Sequence, residues 1–190
     1  MRIFAYIRIF SHYNDRLFIK PYHYVKIYSY VIYGREFIEI YYLWLLYYSQ
    51  GISYAVSNHA LFEEDCEAWV HGPVYRKVYD IFKEFRYNPI DDPRFIIIKE
   101  HENILSDSEK NTIDLVLSTF GMYGGKNLEN ITHKESPWID AREGHTYADY
   151  SNAILTKDSI KSYFTKINNE YNISTKDGIN NYIQNMLFNA

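Results

Sequence analysis

The sequence predicts a mostly α fold with a minor β component (α+β): a single compact helical domain with one or two short strands forming a small sheet. Three observations carry that expectation. Apolar residues recur at helical spacing in several separate windows, each marking one buried helix face. Serine, glycine and proline punctuate those windows where helices start and stop. Only two stretches, near 64–70 and 94–99, read as extended. A chain of 190 residues suffices for one well-buried domain and leaves little for a second.

Roughly half of the 21 tyrosines fall within the first fifty residues. Residues 1–42 form a divergent Tyr-rich segment with poor helix or strand periodicity. They read either as a partner-binding or core-covering arm, or as an acquired or shifted start of doubtful origin. Residues 41–56, "YYLWLLYYSQGISYAV", are apolar nearly all round and predict a central buried helix, with five to seven helices in all. Gly51 inside it weakens the helix and marks a close helix contact.

In "FEEDCEAWVHGPVYRKVYDIFKEF", Gly72 reads as a turn and Pro73 as the first helical position, where a missing N–H costs nothing. Val74, Val78, Ile81, Phe82 and Phe85 then form one apolar face, and the helix stops before Pro89. Tyr75 and Tyr79 lie beside that face and are expected to be the more exposed aromatics, with Trp69 and Trp138 partly structural. "SDSE" at 106–109 is a capping box opening a helix with Ile113, Val116, Leu117 and Phe120 inward and Gly121 at its end. A short helix over 126–133 buries Leu128 and Ile131; Pro137 opens another, closed by Gly144. Asp158 reads as the cap of a helix burying Ile160, Tyr163, Phe164 and Ile167, and the Asn-rich tail 168–190 adds a loose last helix at "YIQNMLF".

Composition narrows the function classes. With 47% hydrophobic and 23% charged residues the chain is globular, and a net charge of -4 supplies no general basic field, so nucleic acid is not expected as a partner. The single cysteine, Cys66, forms no intramolecular disulfide, and no signal peptide or membrane-length apolar run is evident, so a cytoplasmic address without a membrane is expected.

Candidate chemistry is sparse. Cys66 and His71 form no recognised nucleophile motif, and a buried structural cysteine is the simpler reading. His133 and Glu135 stand at i, i+2 with no metal-motif partner; they read more simply as tying down the turn before Pro137. Gly124-Gly125-Lys126 lacks the rest of a phosphate loop and reads as a turn. No catalytic, cofactor or metal residues are therefore assigned. What remains is an aromatic set suited to a protein interface: Trp69, Tyr75, Tyr79, His133 and Trp138.

Three blocks, Leu46-Tyr47-Tyr48 with Gln50, Ala68-Trp69 with Gly72-Pro73-Val74 and Tyr79, and Leu128 with Thr132-His133, Glu135, Pro137-Trp138 and Arg142, occur in order and at matching spacing. Together they resemble the Panacea-domain, SocA-like family of phage- and mobile-element-associated proteins. The resemblance spans about residues 45–165, giving a Panacea/SocA-like domain at 43–167 between the Tyr-rich segment and the tail. It implies an antitoxin that binds and neutralises a cognate protein toxin, with delivery of that toxin to a protease complex as one mode, and no catalytic residues. Two alternatives stand beside it: a DNA-associated regulator using the helix after Pro73, and a small hydrolase built on Cys66 or on His133 and Glu135.

Overall fold

The computed structural model describes residues 38–82, 105–146 and 148–189. It is mostly helical, with seven α-helices and a three-stranded antiparallel sheet among the described residues. Helix α1 (Ile38–Ser57) is the centre. Leu43, Trp44, Leu45, Leu46, Tyr47 and Tyr48 are all buried in succession, so this helix has no solvent stripe over that stretch. Later elements wrap it. Gly51 marks the closest approach: a Cβ there would lie 2.3 Å from the ring of Phe164, as the expected tight contact requires. Gln50 ties the following loop to the helix, its Nε2 donating to the Phe62 carbonyl at 2.9 Å and its Oε1 accepting from the Leu61 amide at 2.9 Å.

Strands β1 (Cys66–Trp69) and β2 (Gly72–Val74) form a hairpin, with Ala68 opposite Pro73 and Trp69 opposite Gly72. This corrects the expected helix start. Gly72, Pro73 and Val74 are strand, and the helix, α2 (Arg76–Phe82), begins three residues after Pro73. Gly72 has φ +120°, a conformation only glycine adopts readily, and Pro73 lies on an edge strand, where its missing N–H interrupts no ladder. A Gly-Pro pair therefore serves a hairpin as well as it serves a helix start. Val74, expected on the helix, packs from the strand instead, while Val78 of α2 is buried as expected. The continuation of that helix toward Phe85 and the strand expected at 94–99 lie outside the described residues.

Helix α3 (Asp107–Thr119) carries the expected capping box: the Ser106 hydroxyl accepts from the Glu109 amide, and the Ser106 amide donates to Glu109 Oε2 at 2.6 Å. It tightens into a 3₁₀ turn at Phe120–Met122 rather than stopping at Gly121. Helix α4 (Gly125–Thr132) and helix α5 (Ser136–Ala141, with Pro137 in its first turn) follow. Strand β3 (Ile154–Leu155) pairs with β1, giving the order β2-β1-β3. In helix α6 (Lys157–Tyr171) the cap is Thr156, whose hydroxyl accepts from the Ser159 amide; Asp158 sits inside the first turn. Helix α7 (Lys176–Phe188) is no loose appendage: Ile179, Tyr182, Ile183 and Met186 are buried against the core. No helix among the described residues is long and apolar enough to cross a membrane.

Candidate functional site

The second and third sequence blocks converge on one junction, where the β1–β2 hairpin meets α4 and α5. Trp138 Nε1 donates to the Trp69 carbonyl at 2.9 Å. Arg142 is buried; its Nη1 donates to the Ala68 carbonyl at 2.9 Å, and its Nη2 to the carbonyls of Thr146 and Asp149 at 2.9 and 2.7 Å. The same guanidinium lies 5.0 Å from the Trp138 ring centroid, whose other neighbour is the stacked His133 ring at 4.1 Å. Thr132 is fully buried beside Gly72: a Cβ on that glycine would lie 2.9 Å from Thr132 Oγ1 and 2.6 Å from Trp44 Nε1. These motif residues hold the hairpin in place.

Above the junction the outer face of the sheet carries a cluster of aromatic and charged groups. Glu67 and Trp69 point outward from β1, and Ile154 of β3, opposite Glu67, is 43% exposed. Arg76 grips Glu67 with two bonds of 2.7 Å, and Trp69 Nε1 donates to the same carboxylate at 2.8 Å. The Arg76 guanidinium lies 5.1 Å from the Trp69 ring centroid and donates to the Tyr150 hydroxyl at 3.0 Å. Tyr79 meets the Trp69 ring edge-on at 4.8 Å, and Tyr150, 68% exposed, completes the group. Burial opposes charge on Glu67, but the bonds from Arg76 and Trp69 outweigh it and hold that carboxyl below the usual range.

Below the junction lies a third cluster. Glu135 is completely buried and accepts from the Tyr182 hydroxyl at 2.5 Å, while the Tyr163 and Tyr182 hydroxyls are 3.0 Å apart. Tyr47 and Tyr48, both fully buried, adjoin the same carboxyl; Tyr48 also stacks on Phe120 at 3.7 Å. Burial pushes Glu135 up to about 7, the surrounding hydroxyls pulling the other way.

The residues expected to form an interface thus divide. Trp69 and Tyr79 stand half-buried at the outer face, and His133 is half-buried against Trp138. Tyr75 does not stand at the surface: it is 1% exposed, its ring edge-on to Phe62, because it closes the hairpin inward before α2 begins. Trp138 is a strut under the face. Arg76, Glu67 and Tyr150 were not anticipated in this role, since Tyr150 sits in a loop without periodicity, distant in sequence from Trp69. Cys66 and His71, named together for one catalytic alternative, have different partners. Cys66 is buried, which pushes its thiol pKa up, and its hydrogen-bonding neighbour is Tyr75, whereas exposed His71 pairs with Glu129 at 3.0 Å. Gly124 is the N-cap of α4, and Lys126 pairs with Glu129 at 3.0 Å. Among the described residues no cluster of His, Cys, Asp and Glu could hold a metal ion.

Comparison with curated proteins and with solved structures gives no match. A family model does match, described as "Antitoxin SocA-like, Panacea domain", over residues 44–139, which is half of the chain and contains the hairpin, Trp138 and the buried carboxyl. An antitoxin-like family points to a protein partner and to a role without catalysis. The chain belongs to the SocA-like antitoxin family of Panacea-domain proteins.

Proposed function

We propose that this protein is the cytoplasmic antitoxin of a phage- or mobile-element-associated toxin–antitoxin pair, and that it neutralises one cognate protein toxin by binding it. The observation that carries this reading, beside the family, is the outer-face cluster of Trp69, Tyr79, Tyr150 and Arg76. Tryptophan, tyrosine and arginine are the residue types that dominate interface energetics, because each offers large contact area with a polar handle. Here the Trp69 indole and the Arg76 guanidinium are already ordered by Glu67, so less freedom is lost on docking. Transfer of the bound toxin to a protease complex is the second step of the proposal.

The test is co-expression of the full chain with each protein encoded beside its gene, scored for growth rescue and for co-purification. One neighbour should be toxic alone and harmless with the antitoxin. Tyr150→Ala and Trp69→Ala should each weaken the complex by about 30-fold, the effect of losing a hot-spot side chain worth about 2 kcal/mol. Rescue that survives both changes would move the interface elsewhere, and a toxic neighbour neither bound nor rescued would defeat the antitoxin assignment for that pair.

A further inference from the structure

The buried acid beneath the face is not used by the proposed binding. The groups around the Glu135 carboxyl come from three helices: Tyr47 and Tyr48 of α1, Tyr182 of α7 and, through the Tyr182 hydroxyl, Tyr163 of α6. All four are phenols. No lysine, arginine or histidine forms an ion pair with this carboxyl among the described residues. A carboxylate sealed from water with no cation loses its hydration and recovers only what hydroxyl donors return. Tyr182 returns one bond, while Glu135 Oε2 and the hydroxyls of Tyr47 and Tyr48 are buried without a bond of standard geometry.

Position in the chain gives this acid reach. Glu135 is the N-cap of α5, and its carbonyl accepts from the amides of Trp138 and Ile139 at 3.1 Å each. From the same short helix Trp138 bonds the Trp69 carbonyl, and Arg142 directly after it bonds the Ala68 carbonyl. One helix therefore links the buried carboxyl to the strand that displays the outer face.

We propose that Glu135 and its tyrosines form a proton-linked latch: the protonated carboxyl keeps α5 seated and the β1–β2 hairpin held, and loss of that proton to solvent favours release of α5 and loosening of the hairpin. The latch rests on this geometry and stands whether or not the outer face binds a toxin.

The sign follows from linkage. Burial raises Glu135 to about 7, so from its unfolded value up to that point the folded state binds more protons than the unfolded one. Stability from this group is complete below the unfolded value and is lost as pH rises toward neutrality. The experiment is urea unfolding of the full chain from about pH 5 to 8.5, wild type against Glu135→Gln, read as the difference between the two curves so that whatever both proteins share cancels. Wild type should lose roughly a hundredfold in its folding constant relative to the glutamine variant across that window, then level off. In the wild type, the Trp138 indole N–H resonance should shift with the same midpoint. A difference that is flat, or that rises with pH, would show that the hydroxyls hold an anion and would overturn the latch. A stationary indole resonance would sever its link to the hairpin. Should the glutamine variant fail to fold, a carbon NMR titration of the glutamate carboxyls in the wild type decides the matter: Glu135 titrating near neutrality supports the latch, and titration in the ordinary carboxylate range refutes it.

Discussion

Two glutamates, each packed among aromatic side chains, one at the outer face of the sheet and one in the core, behave oppositely. Glu67 faces the surface, held by Arg76 and the Trp69 indole, and its carboxyl lies below the usual range despite partial burial. Glu135 lies fully inside with phenols for company and is raised to about 7. The residue type is the same and the aromatic density similar. What differs is a cation and contact with water. The surface pair contributes little net stability because solvent screens it, but it fixes the orientation of rings that a partner can use. The interior acid has no such screening, so each missing or added proton acts on the whole fold.

That contrast can be broken from the inside first. Tyr182→Phe removes the hydroxyl that bonds Glu135 and leaves a buried acceptor unserved, which should cost about 2 kcal/mol in chemical denaturation. Because that bond is among those holding the Glu135 pKa down, its loss should also move the pH-dependent fall in stability to higher pH. Next in size, Trp138→Phe deletes the bond to the Trp69 carbonyl and should cost about 1 kcal/mol while weakening partner binding, separable by comparing melting with pull-down. Smallest is Arg76→Gln at the face. It should change stability at neutral pH by less than about 1 kcal/mol. Its signature lies in acid: Glu67 is depressed in the folded state, so its contribution is present above the unfolded pKa and lost as pH falls, and the variant should lose that acid limb. An Arg76→Gln protein as destabilised as Tyr182→Phe would erase the distinction between the two regions.

Much of the fold was legible in the sequence for definite reasons. The buried α1, the Ser106–Glu109 capping box and the inward faces of α3, α4 and α6 all follow from apolar periodicity and cap chemistry, which are local properties. Gly51 was readable as a contact because a glycine inside so apolar a helix needs a packing reason, and Phe164 is that reason. Of the hairpin, β1 falls inside the stretch expected at 64–70, but β2 was not readable. Gly72 and Pro73 suit an edge strand and a helix start alike, and only pairing with Ala68 and Trp69 separates them. Strand β3, two residues long, is too short for any alternation to show. At the candidate site, Trp69 and Tyr79 stood out by residue type, but Tyr75 was misplaced by treating it as helical, and Tyr150 carried no local signal at all. The buried environment of Glu135 depends on Tyr182, in a tail whose asparagines mask its apolar face.

The way α1 is covered bears on the birth of each molecule. The greasiest helix emerges early, yet Phe164, whose ring seals Gly51, lies more than a hundred residues later in α6. At ordinary translation speeds the ribosome takes roughly 6 to 20 s to cross that interval. Throughout it the nascent chain displays the Gly51 side of a helix whose covering ring has not yet been made. A copy terminated before α6 would leave that side of the helix open, so the last packing step of the core waits on the end of synthesis.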